Sequence, residues 1–262
     1  VAYLNLDLFK GHSHEKYYFL GFVAADGCIY DKSLIISLHE KDVDVLYKFC
    51  DWLKLPHTLV KKKGCCYVDF RKYNQELVNC ILEYGITSRK TKVLKFPDNI
   101  PDEFKKSFIL GYFDGDGSCY TNKDKSKLFF QIVGTQHINQ TIKSIYSHDL
   151  GYDFGSIQQA GSVTRLIING CKSSIDFGNW LYEDNVFCFE RKKVKYLEFR
   201  NKNIERYNSG LNMKKAKEIR NLHSSGNISQ VQLAKDYNVA RQTIYDVLSN
   251  KLYYEHNNEA VK

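Results

Sequence analysis

Proline is scarce in this chain, with three in 262 residues, and no Gly/Ser or Pro tract marks a long flexible linker. No two cysteines stand in a C-x-x-C spacing, so a zinc knuckle or ribbon is not expected. The eight cysteines are scattered, with Cys65-Cys66 the closest pair, and read as reduced, mostly buried thiols. No apolar run approaches the length of a membrane span, and no signal-peptide pattern opens the chain. These absences lead to the expectation of an intracellular, cytoplasmic protein with no membrane partner.

What is present is a globular composition, 43% hydrophobic with 19 tyrosines, and a formal net charge of +8. That balance suits a polyanionic partner, because Lys and Arg displace counterions from phosphates. On its own it is a weak indicator.

The informative feature is an internal repeat. Phe19-Leu20-Gly21-Phe22-Val23-Ala24-Ala25-Asp26-Gly27 recurs as Ile109-Leu110-Gly111-Tyr112-Phe113-Asp114-Gly115-Asp116-Gly117, ninety residues later. Tyr30 and Tyr120 keep the same offset. Each copy is apolar on most faces of a helix, so each is expected to be buried. A glycine inside such a helix costs roughly 1 kcal/mol relative to alanine. Gly21 and Gly111 therefore predict two helices packed backbone to backbone about a pseudo-twofold axis.

Each copy ends in Asp-Gly. A helix C-terminus carries negative partial charge, so Asp26 and Asp116 are unfavourable there singly and worse as a pair. A divalent cation between them relieves both problems. Carboxylates, with main-chain carbonyls of Ala25 and Gly115, suit Mg²⁺, for which Mn²⁺ or Ca²⁺ could substitute in binding. Two helix-ending Asp-Gly turns without a metal are the plainer alternative. An EF-hand is excluded, because in a loop starting at Asp114 the glycine falls fourth and Lys125 twelfth.

After each motif, strand and helix patterns alternate alike. Cys28–Tyr30 with Ser33–Leu38, and His57–Lys63 with Tyr67–Arg71, read as hairpins. Helical periods cover Lys41–Leu53 and Asn74–Tyr84. The second half gives strands at Ser118–Thr121, Leu128–Val133, Gly155–Gln158 and Arg165–Asn169, with helices at Ile138–Ser147 and Ser173–Leu181. The expected fold is α+β, two pseudo-symmetric αββαββα halves forming a saddle, residues 1–96 and 97–199. Pro97 and Pro101 make Phe96–Asp102 a rigid connector. Residues 200–212 read as a basic linker, and 213–262 as a small all-α helix-turn-helix domain. In that domain Ser229 is an N-cap, Gln230–Tyr237 and Arg241–Ser249 are the two helices, and Asn238 takes the left-handed turn position.

With these residues in view, the chain resembles the single-chain LAGLIDADG homing endonucleases over roughly Lys16 to Leu197. Its tail resembles the helix-turn-helix tails of phage- and intron-encoded nucleases. The resemblance implies a Mg²⁺-dependent endonuclease that breaks both strands of a long DNA site and leaves four-base 3′ overhangs. It puts the metal on Asp26 and Asp116. It departs at Ala24, where the second copy has the acidic Asp114. It also implies a lysine from each half beside the metals; the matched Arg-Lys pairs select Lys90 and Lys192. The alternative is that both lysines are solvated.

Major-groove contacts are expected from the hairpins: Lys61, Lys63, Arg71, Lys125, Lys127, Gln131, Gln158 and Arg165. Arg241, Gln242, Thr243 and Tyr245 are expected to serve from the recognition helix. Double-stranded DNA bound by a monomer is the expected partner. The competing class is a binding protein on the same scaffold, an intron maturase with intron RNA as partner or a regulator without cleavage. An intein is set aside because there is no room for splicing blocks.

Overall fold

The structure is a computed structural model and describes residues 4–61, 64–183, 187–226 and 228–254. Two halves follow one plan. The first runs α1 (His14–Asp26), β1 (Gly27–Tyr30), β2 (Ser33–His39), α2 (Asp44–Trp52), β3 (Val60–Lys61), β4 (Tyr67–Tyr73) and α3 (Gln75–Leu82). The second runs α4 (Asp102–Asp116), β5 (Gly117–Thr121), β6 (Leu128–Gly134), α5 (Gln136–Leu150), β7 (Ser156–Ala160), β8 (Val163–Asn169) and α6 (Cys171–Tyr182). Each half forms a four-stranded antiparallel sheet, ordered β1-β2-β4-β3 and β5-β6-β8-β7. The expected αββαββα plan is present twice, with β3 starting at Val60 where the sequence suggested His57; the end expected at Lys63 lies outside the described residues.

The motif helices start from built caps. The Ser13 hydroxyl accepts from Lys16 N at α1, and Pro101 precedes α4. Their packing fixes the molecule's centre. A Cβ placed on Gly21 would stand 2.0 Å from the Phe108 carbonyl oxygen, and one on Gly111 would stand 2.0 Å from that of Tyr18. Only glycine permits this approach. The two contacts are exchanged by the ninety-residue offset, as a twofold axis requires.

Around this pair the apolar sides of both sheets and of α2, α3, α5 and α6 close a single core, including Phe19, Phe49, Phe113, Phe130 and Phe177. The connector joins it, with Leu94, Phe96 and Ile100 buried and the Thr135 hydroxyl donating to Leu94 O.

The segment after residue 199 differs from expectation. Residues 200–209 are the second part of one 20-residue helix, α7 (Glu190–Ser209), and the boundary expected at 199 lies inside it. Tyr196, Phe199 and Tyr207 fall along one side of this helix and reach the core, which holds it in helical form despite its polar composition. Only Gly210–Asn212 separate it from α8 (Met213–Ser224), which α9 (Gln230–Asp236) and α10 (Arg241–Leu248) follow. These three form a second core of Ala216, Ile219, Leu233, Ile244 and Val247. Asn238 has φ 50°, the left-handed turn expected between α9 and α10.

The eight cysteines are free thiols, but only Cys50 and Cys119 are buried, and Cys28, Cys65 and Cys66 are exposed. No described helix is long and apolar enough to cross a membrane.

Candidate active site and nucleic-acid interface

Asp26 and Asp116 are the last residues of α1 and α4, where each motif helix gives way to the first strand of its half. The close approach continues to this end, since a Cβ on Gly115 would lie 2.4 Å from Ala25 Cβ and 3.3 Å from Asp26 Cγ. Both carboxylates are thereby drawn together in a partly desolvated niche. Burial first, and then the facing Asp116, push the Asp26 carboxyl up to about 6. Asp116 is also raised by burial, opposed by the Lys90 ammonium and the Tyr112 hydroxyl. That hydroxyl lies between the Asp116 carboxylate and the Val133 carbonyl, 3.2 Å from the latter.

Lys90 and Lys192 are not solvated: they are 9% and 3% exposed. Each ends its own half's motif helix. Lys192, in the first turn of α7, donates to the carbonyls of Phe113 (2.8 Å), Asp114 (2.7 Å) and Gly117 (2.7 Å), which uses all three of its N–H donors. Lys90 donates to the Gly27 carbonyl. A cation against the negative end of a helix is favourable, which offsets part of the cost of burying it. Burial lowers both, and Lys192 falls to about 8. The sequence placed these four residues in one site, and the structure brings them together.

Asp114, two residues before Asp116, is 1% exposed. One of its oxygens accepts from the Tyr18 hydroxyl at 2.7 Å and from Phe189 N at 2.7 Å, while the other has no partner among the described residues. Burial raises its carboxyl to about 6, against the pull of Lys192, Tyr18 and the Phe189 amide. Sequence reasoning missed Tyr18 and Tyr112. Their counterparts are Phe108 and Phe22, so a search for departures from the repeat would have found both.

Among the described residues no group of three or more His, Cys, Asp or Glu side chains is arranged to hold a metal ion. A pair of carboxylates is nonetheless a sufficient protein contribution for Mg²⁺, which keeps most of its waters. Two raised carboxyls facing each other are the electrostatic signature of a place that gains from a cation, so the residues present fit one.

Strand alternation puts one face of each sheet towards the core and the other outward. On the outward faces lie Arg71, Gln158 and Arg165, exposed, and the half-buried Gln131. Lys125 and Lys127 are exposed on the β5–β6 turn. Lys61 is placed otherwise. It pairs across with Val68, a core-side position, and its ammonium holds Glu40 at 2.7 Å. Lys63 lies outside the described residues. The outward faces also carry exposed Tyr30, Tyr67, Tyr73 and Tyr120, which the sequence reading did not select although their alternation with buried neighbours marks them. On α10, Arg241, Gln242 and Tyr245 are exposed and Thr243 half-buried; with Gln230 the three exposed residues line a shallow groove.

Comparison with known proteins agrees at the level of fold. The I-LtrWI LAGLIDADG homing endonuclease, solved bound to target DNA, aligns with TM-score 0.50 at 11% identity, covering 94% of this chain and 99% of its own. I-SmaMI, solved on an uncleaved DNA target with calcium ions, gives 0.51 at 15% identity, covering 84% and 100%. A mutant of I-SmaMI gives 0.51 at 15%, covering 81% and 99%. The fold is LAGLIDADG-like. Residues 209–251 match the family described as the helix-turn-helix domain of resolvase, in agreement with α8–α10. No curated protein matches the chain by sequence.

Proposed function

We propose that the chain is a site-specific DNA endonuclease that hydrolyses one phosphodiester in each strand of a long duplex target, with Mg²⁺ as cofactor, leaving four-base 3′ overhangs. The observation that carries the reading is the pair of raised, partly buried carboxylates, Asp26 and Asp116, flanked by the buried lysines Lys90 and Lys192. The likeness of the fold to proteins solved on DNA supports it.

Asp26 and Asp116, with the main-chain carbonyls of Ala25 and Gly115, would hold the ion. When bound, it supplies Lewis-acid stabilisation of the charge that builds on the phosphate. Mn²⁺ supports the same role, and Ca²⁺ supports binding. Lys90 and Lys192 add fixed positive charge in a low-dielectric wall beside the scissile phosphates. Lys192, its donors occupied, acts as a charge and holds the end of α4. Lys90 keeps donors for a phosphate oxygen. The outward sheet faces with Arg71, Gln131, Gln158 and Arg165 bind the duplex, and the tyrosines beside them add flat surface for sugar and base contacts. One chain supplies both carboxylates, so a monomer suffices, and its setting on this reading is the cytoplasm.

The test is incubation of the full chain with a random-duplex library in Mg²⁺, followed by sequencing of the ends. Discrete breaks with 3′ overhangs that vanish in Asp26→Asn establish the activity. Enrichment of bound DNA without any breaks overturns it and leaves a binding protein, for which splicing assays with intron RNA follow.

A further inference from the structure

The helix-turn-helix unit has no slack. α7 ends at Ser209 and α8 begins at Met213, and the joint is stapled by the Lys215 ammonium, which donates to the Asn208 carbonyl at 2.6 Å and the Gly210 carbonyl at 3.0 Å. On the near side, the Tyr207 hydroxyl donates to the buried Asp176 carboxylate of α6 at 2.6 Å. The other oxygen of Asp176 takes the Tyr152 hydroxyl and the Lys172 ammonium. Tyr152 belongs to the nuclease half by sequence, yet its ring packs into the core of α8–α10 with Tyr253, 5.2 Å between centroids.

A second strap runs the other way. Beyond α10 the chain returns to the nuclease body, where Tyr254 N donates to Gly151 O at 2.8 Å and the Tyr254 hydroxyl to Ser147 O at 2.6 Å. Gly151 is pressed from both sides, since a Cβ there would stand 2.3 Å from Met213 Cε and 2.9 Å from Tyr254 O. Arg220 of α8 secures the returning segment, its guanidinium donating to Val247 O at 3.1 Å and Tyr253 O at 2.6 Å. The unit is thus tied at both its entry and its exit. The surface it rests on, residues 151–154, leads directly into β7, the outer edge strand of the second sheet.

We propose that the helix-turn-helix unit is a docked reader of a second DNA element, on the second half's flank only and at one fixed spacing from the central site. A tethered domain would tolerate variable spacing; two straps and a three-residue joint do not. The recognition face of α10, with Arg241, Gln242 and Tyr245 exposed, is left clear of this docking surface. The inference rests on the saddle binding duplex DNA.

The experiment selects full-length protein against a random-duplex library, then measures binding to synthetic duplexes built from the enriched sequence. The expected result is a central element plus one flanking element on a single side at one spacing. Inserting five or ten base pairs between them, half and one helical turn, then lowers affinity as much as scrambling the flank, on the order of ten- to a thousandfold. Arg241→Ala with Gln242→Ala erases the flanking preference and leaves the central one. Loosening the dock with Asp176→Asn, or with the milder Tyr207→Phe if the first folds poorly, softens the penalty of a one-base-pair insertion and leaves that of ten base pairs, which the three-residue joint cannot span. A flank found at several spacings, or no flank at all, overturns the proposal. Loss of the central element while a flanking one persists overturns instead the reading of the saddle.

Discussion

The two halves share a backbone plan but not a chemistry. Behind Asp26 stand Ala24, Phe22 and, from α4, Phe108, all apolar; at the matching positions behind Asp116 stand Asp114, Tyr112 and, from α1, Tyr18, a buried carboxyl and two hydroxyls. Lys192 is saturated by three carbonyls, while Lys90 meets one. Asp116 has Lys90 and Tyr112 to offset its burial, whereas at Asp26 burial is compounded by the facing Asp116 and opposed by Lys192 and Lys90. A duplicated scaffold has therefore kept its geometry at the axis, where two glycines leave no freedom. It has diverged one side chain away, where hydrogen bonds can be exchanged. The two strand cuts would then be made by unequal centres.

The strongest test of the carboxylate pair is its removal. Asp26→Asn and Asp116→Asn should each slow cleavage on the order of a thousandfold, several kcal/mol of lost charge stabilisation, read as supercoiled-plasmid decay. One variant that still nicks a single strand at full rate would show that the centres work independently. Next in size, Gly21→Ala and Gly111→Ala should each cost about 3 kcal/mol in urea unfolding, because backbone carbonyls at 2.0 Å cannot yield. Equal losses support the pseudo-twofold contact; a mild effect at either glycine would break the symmetry argument.

A pH series on metal-free protein separates the carboxylates. Asp26 is raised from 3.8 to about 6, so the folded state holds a proton that the unfolded chain has released. The stability this gives is full below about pH 4 and lost as pH rises through 6. Asp26→Asn should therefore raise the melting free energy above pH 6 by about 2 kcal/mol and do nothing near pH 4. Asp116→Asn should gain less, since Lys90 and Tyr112 already offset its burial. Added Mg²⁺ should stabilise the wild type at pH 8 and neither variant. The smallest contrast is between the lysines. Lys192→Met strands three carbonyls and should lose about 2 kcal/mol in thermal unfolding, whereas Lys90→Met should lose about 1 and show mainly in cleavage rate. The reverse order would remove the assignment of Lys192 as the helix-end clamp.

Much of this was legible in the sequence because repetition multiplies weak signals. A single Asp-Gly after an apolar run says little; two, each with a glycine five residues earlier, define an axis and a site. Lys90 and Lys192 needed the family resemblance, which implies a lysine from each half; the matched Arg-Lys pairs only chose which ones. What the sequence hid were the features that break the repeat or cross between elements. Asp114 receives Tyr18 from the opposite helix and Phe189 from the N-cap of α7, pairings 96 and 75 residues apart that no local pattern encodes. Residues 200–209 looked like a linker because their composition is polar, whereas their helicity is imposed by Tyr196, Phe199 and Tyr207 packing on the body. Lys61 looked like a DNA contact until the register with Val68 turned it to the other face.

The glycine contact has one more consequence, which concerns measurement. Carbonyls that meet where side chains should be leave α1 and α4 no travel along or across each other. The span between whatever Asp26 and Asp116 act upon is therefore a length written into the protein. On the endonuclease reading, the stagger of the break is gauged by this rigid calliper and not by the DNA. Targets that differ in sequence would all be cut to one overhang.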